Sequence, residues 1–243
     1  MGGRHQQAQA ERLPIVFDKK SPRKLDYQGL GKVGDSITLH GVLRNARKWA
    51  DSRQEQWLVC SVRDEPFCGY WIRLAKPVLM LPPCDVEFAD PPGKSIVGPY
   101  RMTGTLGVGW TDPKLTCSRD KYFQLADVKF EELRIPGNVS RSCAKAVREH
   151  WDRIGRATVG VGFPSTAEAR NSSRLPLSEF VRQHEPILLR LSVDGRQALY
   201  CCAEGRKYLS WHGEALARVY CLIDLRKATP VRLYVETHTY PLE

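Results

Sequence analysis

Two stretches of the chain set a tryptophan among cations. One reads Lys48-Trp49-Ala50-Asp51-Ser52-Arg53, and the other reads Gly109-Trp110-Thr111-Asp112-Pro113-Lys114 and continues to Arg119 and Lys121. The chemistry these groups share is recognition, not bond breaking. An indole gives an unstacked base a flat π-surface worth about 1–3 kcal/mol, and a neighbouring Lys or Arg neutralises the phosphate. A lone tryptophan would as readily pack a loop against a core. Two such loops, each with basic neighbours, make a surface role as reasonable as packing.

Patterns that would support catalysis are missing. No two cysteines have C-x-x-C spacing, and Cys60 and Cys68 lack histidines at zinc-like intervals. Cys201-Cys202 lies in an apolar run where neighbouring side chains point oppositely, which suits packing. Gly160-Val161-Gly162-Phe163 lacks the third glycine and the following helix of a phosphate-binding turn, and Ser210-Trp211-His212 lacks the strand-turn-helix elbow of a nucleophile. The expectation is a non-catalytic protein with no metal and no cofactor.

The elements that must position the tryptophan loops are strands. Ile37, Leu39 and Gly41 alternate against Ser36, Thr38 and His40, which reads as a first strand. Trp57-Leu58-Val59-Cys60-Ser61-Val62 gives a second, and after the turn-like Arg63-Asp64-Glu65-Pro66 the run Tyr70-Trp71-Ile72-Arg73-Leu74 gives a third. Tyr70 and Trp71 must face opposite ways, so one joins a surface and the other a core. Residues 76–99 are rich in proline and predict an irregular crossover. Residues 100–108 and 122–133 supply strands four and five. A helix follows, with Ser140 as its N-cap, Cys143, Val147, Trp151 and Ile154 along one face, and Arg141, Lys145, Arg148 and Arg153 along the other. Gly155 ends it. A loop over 160–176 and a helical turn over 177–183 precede strands at 187–193, 198–202, 217–223 and 231–236, with Asp194-Gly195 as a hairpin signal.

The run Ile37-Thr38-Leu39-His40-Gly41-Val42-Leu43-Arg44-Asn45-Ala46-Arg47-Lys48, followed by Trp57-Leu58-Val59-Cys60-Ser61-Val62-Arg63-Asp64, resembles the opening strands of OB-fold domains of the anticodon-binding type. In those domains a strand carrying Gly-x-(Val/Leu)-x-x-x-Arg precedes one that ends in Arg-Asp. The likeness covers residues 35–134 and departs from the usual plan at 76–99, where a helix would join strands three and four. It implies a binding surface on strands two and three with the loops after strands one and four. On this sequence that surface holds Arg44, Arg47, Lys48, Trp49, Arg53, Trp71, Arg73, Trp110, Lys114, Arg119 and Lys121.

The fold class expected is therefore mainly β. A basic arm (1–33) leads into a five-stranded OB-like barrel (34–137), a linking helix (138–157), a loop-rich linker (158–186) and a second small antiparallel β domain (187–243). The net charge of +10 favours a polyanionic partner. Much of it is N-terminal, since residues 1–53 carry 11 basic against 5 acidic side chains. The N-terminus has no apolar secretory core and no stretch has transmembrane length, so a membrane is not expected. Eight cysteines at this chain length suit packing thiols in a cytoplasmic, reducing compartment, although Asn138-Val139-Ser140 and Asn171-Ser172-Ser173 would also fit a secreted protein. The leading expectation is a binder of single-stranded DNA or RNA. The competing one is a β-rich scaffold that meets a protein partner through its C-terminal half and makes no nucleic-acid contact.

Overall fold

A computed structural model describes residues 13–17, 30–47, 54–79, 96–110, 121–161, 173–208 and 213–240. Strands dominate them, as the alternating patterns predict. The first half holds β2 (Ser36–Arg47), β3 (Gln54–Val62), β4 (Glu65–Leu74), β5 (Ile96–Trp110) and β6 (Lys121–Glu132). The pairings β2–β3, β3–β4, β2–β5 and β5–β6 are antiparallel and β4–β6 is parallel. Each of these five strands thus has two neighbours within the set. Leu39, Leu43, Leu58, Cys60, Tyr70, Ile72, Leu74, Met102, Leu106, Phe123 and Leu125 form one buried cluster between them. Every second residue of β4 is buried, so Tyr70 enters this cluster and Trp71 faces the opposite way.

β5 begins earlier than the sequence suggests. Ile96 to Pro99 lie within the proline-rich stretch expected to be irregular, yet they continue the strand. The register shift between Gly41 and Leu43 of β2 accounts for this, because a bulge does not require a ladder donor from Pro99. The remainder of that crossover, 80–95, lies outside the described residues.

Helix α1 (Gly137–Glu149) starts three residues before the expected cap. Pro136 occupies the N-cap position, and Ser140 lies inside the first turn with no side-chain cap bond formed. Proline fits there because its φ of −57° is compatible with helix entry and it has no N–H to satisfy. The helix breaks at His150, and α2 (Trp151–Gly155) ends at the expected glycine. Within the stretch predicted as a loop, β7 (Thr158–Val161) pairs antiparallel with β8 (Ser173–Pro176), and α3 (Leu177–Phe180) follows.

The second half is an antiparallel meander of β9 (Arg182–Ser192), β10 (Gln197–Tyr208), β11 (Glu214–Asp224) and β12 (Thr229–Tyr240). Gly195, at φ +68°, makes the turn that Asp194-Gly195 announces. From the segment expected as an N-terminal arm, β1 (Ile15–Phe17) adds a short parallel strand beside β12. The helix face of this sheet buries Val139, Cys143, Val147 and Ile154 against Tyr200, Cys202, Ala217, Val219, Cys221, Leu233 and Val235.

The two halves share a sheet. Cys60 and Ser61 of β3 pair parallel with Leu191 and Ser192 of β9. The β3–β4 turn then reaches across to the second half. Gln197 Nε2 donates to Asp64 Oδ1 (2.7 Å), and the Asp64 N–H donates to Gln197 Oε1 (2.9 Å). Phe67 puts its ring edge-on to Tyr220 (5.3 Å) and Tyr234 (5.0 Å), on the sheet face away from α1. At Gly69 a Cβ would lie 2.4 Å from the Cys60 carbonyl oxygen and 3.0 Å from Arg190 Nη1, so only glycine admits that close approach.

All six described cysteines are buried thiols. Burial pushes Cys60 and Cys201 up to about 12, far from the thiolate form that reacts. A thiol reagent added to the folded protein is accordingly expected to leave these six unmodified and to label them only in denaturant. Mass spectrometry of the labelled peptides checks this. No helix among the described residues is long and apolar enough to cross a membrane.

Candidate nucleic-acid interface

The outward side of β2, β3, β4 and β6 gathers aromatic rings and cations at one end. Alternation makes the arrangement. Leu58 and Cys60 point inward on β3, which turns Glu55 and Trp57 outward. Ile72 and Leu74 do the same for Trp71 and Arg73 on β4, as do Phe123 and Leu125 for Tyr122 on β6. The ladder aligns Arg44 with Trp57 and Trp57 with Arg73, so the three form one row across the strands.

Within this surface the contacts are specific. The Arg44 guanidinium lies over the Trp71 ring, 5.5 Å from its centroid. Arg73 lies 5.2 Å from the Tyr122 centroid, donates through Nη1 to the Tyr122 hydroxyl (2.6 Å), and pairs through Nη2 with Glu55 Oε1 (3.0 Å). Trp57 meets Tyr122 edge-on at 5.7 Å. Trp71 keeps 38% of its surface exposed, an unusual cost for an indole.

Charge in the surface falls off unevenly. Arg73 is committed to Glu55 and Tyr122, so it holds the aromatic pair in place and its charge is already balanced. Arg44 faces a second guanidinium. Arg190 of β9 lies against Gly69, two residues along β4 from Trp71, and donates weakly to the carbonyls of Phe67 (3.4 Å) and Pro66 (3.5 Å). Burial, and then the positive charge of Arg44, push the Arg190 pKa below the usual arginine value.

Two further outward positions are closed. Val42 and Val59 pack against Leu191, Leu188 and Leu225 of the second half, which closes the part of this face next to the end bearing Trp57, Trp71 and Tyr122. Below that end, Gln56 turns inward and ties down the chain after β4. Its Nε2 donates to the Leu79 carbonyl (2.6 Å), and its Oε1 accepts from the N–H groups of Val78 (2.7 Å) and Leu79 (3.3 Å). Gln56→Ala would strand these partly buried backbone groups and is expected to cost about 1 kcal/mol, read as a lower urea midpoint.

Of the residues expected from the sequence, Arg44, Trp71 and Arg73 come together on this surface. Arg47 ends β2 opposite Gln54, and Trp110 and Lys121 stand opposite each other at the junction of β5 and β6. Lys48, Trp49, Arg53, Lys114 and Arg119 lie outside the described residues. Sequence reasoning passed over Glu55, Trp57 and Tyr122. For Trp57 and Tyr122 the signal was available, since each directly precedes a residue of an inward-facing series. No group of three or more His, Cys, Asp or Glu suited to a metal occurs among the described residues. The chain matches no protein-family model, no curated protein and no solved structure.

Proposed function

We propose that this protein is a non-catalytic binder of single-stranded nucleic acid, and that β2 to β6 form an OB-type barrel whose outward face is the contact surface. The observation that carries the reading is the convergence of Trp57, Trp71 and Tyr122 with Arg44 and Arg73 on one accessible patch. Trp57 and Trp71, steadied by Tyr122 and Arg73 and with Arg44 beside Trp71, fit unstacked bases and a phosphate, whereas the bases of a duplex are already stacked on each other. The order of pairings supports the barrel. In chain order the strands neighbour one another as first, second, third, fifth, fourth and back to first, with the third and fifth parallel.

Anisotropy of a labelled mixed-sequence oligonucleotide tests this. Unlabelled single strand is expected to displace the probe, and a duplex of the same sequence to do so only at much higher concentration. Equal competition by the duplex would refute single-strand recognition. Trp49→Ala and Trp110→Ala are each expected to weaken binding without altering the circular dichroism spectrum.

A further inference from the structure

Among the described residues outside this surface, charge is one-sided on the helical segment. Residues 134–156 hold six basic side chains against two acidic ones, and Arg134, Arg141, Lys145, Arg148, Arg153 and Arg156 are all exposed. α1 buries Val139, Cys143, Ala146 and Val147 against the sheet. Arg141, Lys145 and Arg148 therefore form a row on its opposite side, rising about 6 Å and then about 4.5 Å along the axis. Glu149 pairs with Lys145 at 3.7 Å. Among the described residues no carboxylate comes within ion-pair distance of Arg141, Arg148 or Arg153.

Helix stability explains Arg148, in the last turn where the dipole favours a cation, but not Arg141. The first turn has no acidic residue and Arg141 follows directly on it, the reverse of the charge order that the helix dipole favours. Beyond the break at His150, α2 borders a recess of about 350 Å³ lined by Trp151, Asp152, Gly155, Arg156 and Ser178, where Trp151 also packs against the core. Half-buried Trp151 gives the recess an aromatic wall. Asp152 disfavours a phosphate there, while an uncharged base is compatible with it.

We propose that the outer face of α1 and α2 is a second contact surface for single-stranded nucleic acid. The phosphate backbone runs along Arg141, Lys145 and Arg148, and a base is seated against Trp151. This rests on the function proposed above and extends it: a strand long enough to leave the Trp71 surface is held a second time, mainly by charge.

The test compares wild type with the triple variant Arg141→Ala, Lys145→Ala, Arg148→Ala. These side chains are exposed, and an unchanged urea midpoint verifies the fold. Affinity is measured for mixed-sequence oligonucleotides of increasing length at several salt concentrations. Short strands are expected to bind both proteins alike, and long strands to bind the variant at least tenfold more weakly. The slope of log K against log salt for long strands is expected to fall by about 2, the loss of three phosphate contacts on a single strand. Equal affinities at every length would overturn the second surface and leave the first standing. Absence of binding by either protein at low salt would overturn both. Binding of polyglutamate, but of no oligonucleotide, to wild type alone would assign the face to an acidic polypeptide and overturn the proposal.

Discussion

Trp71→Ala is expected to weaken binding of a single-stranded oligonucleotide by roughly 5- to 150-fold, the range for removing one stacking platform. The size of the effect follows from the environment of the indole. Trp71 is 38% exposed and lies outside the inward-facing cluster of the first five strands, so its removal costs the fold little. What it supplies is a π-face already beside the Arg44 guanidinium. Trp71→Phe keeps an aromatic face and is expected to retain part of the affinity. Arg44→Gln should lower the salt dependence as well as the affinity, because it removes a phosphate partner. Isothermal titration at two salt concentrations measures both. An unchanged dissociation constant for Trp71→Ala would move the site elsewhere on the molecule.

The largest expected stability effect lies at Phe67. Its ring meets Tyr220 and Tyr234 edge-on and is an apolar group that the start of β4 sends into the second half. Phe67→Ala is expected to cost about 3 kcal/mol, at the low end for phenylalanine because the residue is only partly buried. The Asp64–Gln197 bonds and the β3–β9 pairing remain, so the variant should still fold. Urea unfolding followed by circular dichroism and by tryptophan fluorescence checks the prediction. Wild type should give one coincident transition, and the variant should show a lower midpoint. A midpoint equal to wild type would mean that the turn merely touches the second half.

The strand pattern was legible because it depends on neighbours in the chain. Alternation separated Tyr70 from Trp71, and the structure buries the first and exposes the second. The Asp194-Gly195 turn was equally local, since a glycine at φ +68° needs no distant partner. The fate of Arg73 depended on residues far away in sequence. Read alone it is a cation beside a tryptophan, and only the cross-strand positions of Glu55 and Tyr122 commit its charge. The same distance hid β1. Residues 13–17 look like an apolar patch in a basic arm until β12 is placed beside them. Ser140 misled for a local reason: a serine near a helix start suggests a cap, but Pro136 already sets the entry angle. The covering of Val42 and Val59 by Leu188 and Leu191, which narrows the accessible surface, is a contact between halves that no periodicity encodes.

The central claim is that Trp71 and its neighbours stack on unpaired bases. Intrinsic tryptophan fluorescence during titration with a mixed-sequence single strand, at low and at physiological salt, tests it most directly. Saturable quenching that tightens at low salt and is reduced in Trp71→Ala is the predicted result, and absence of quenching at low salt would contradict the account.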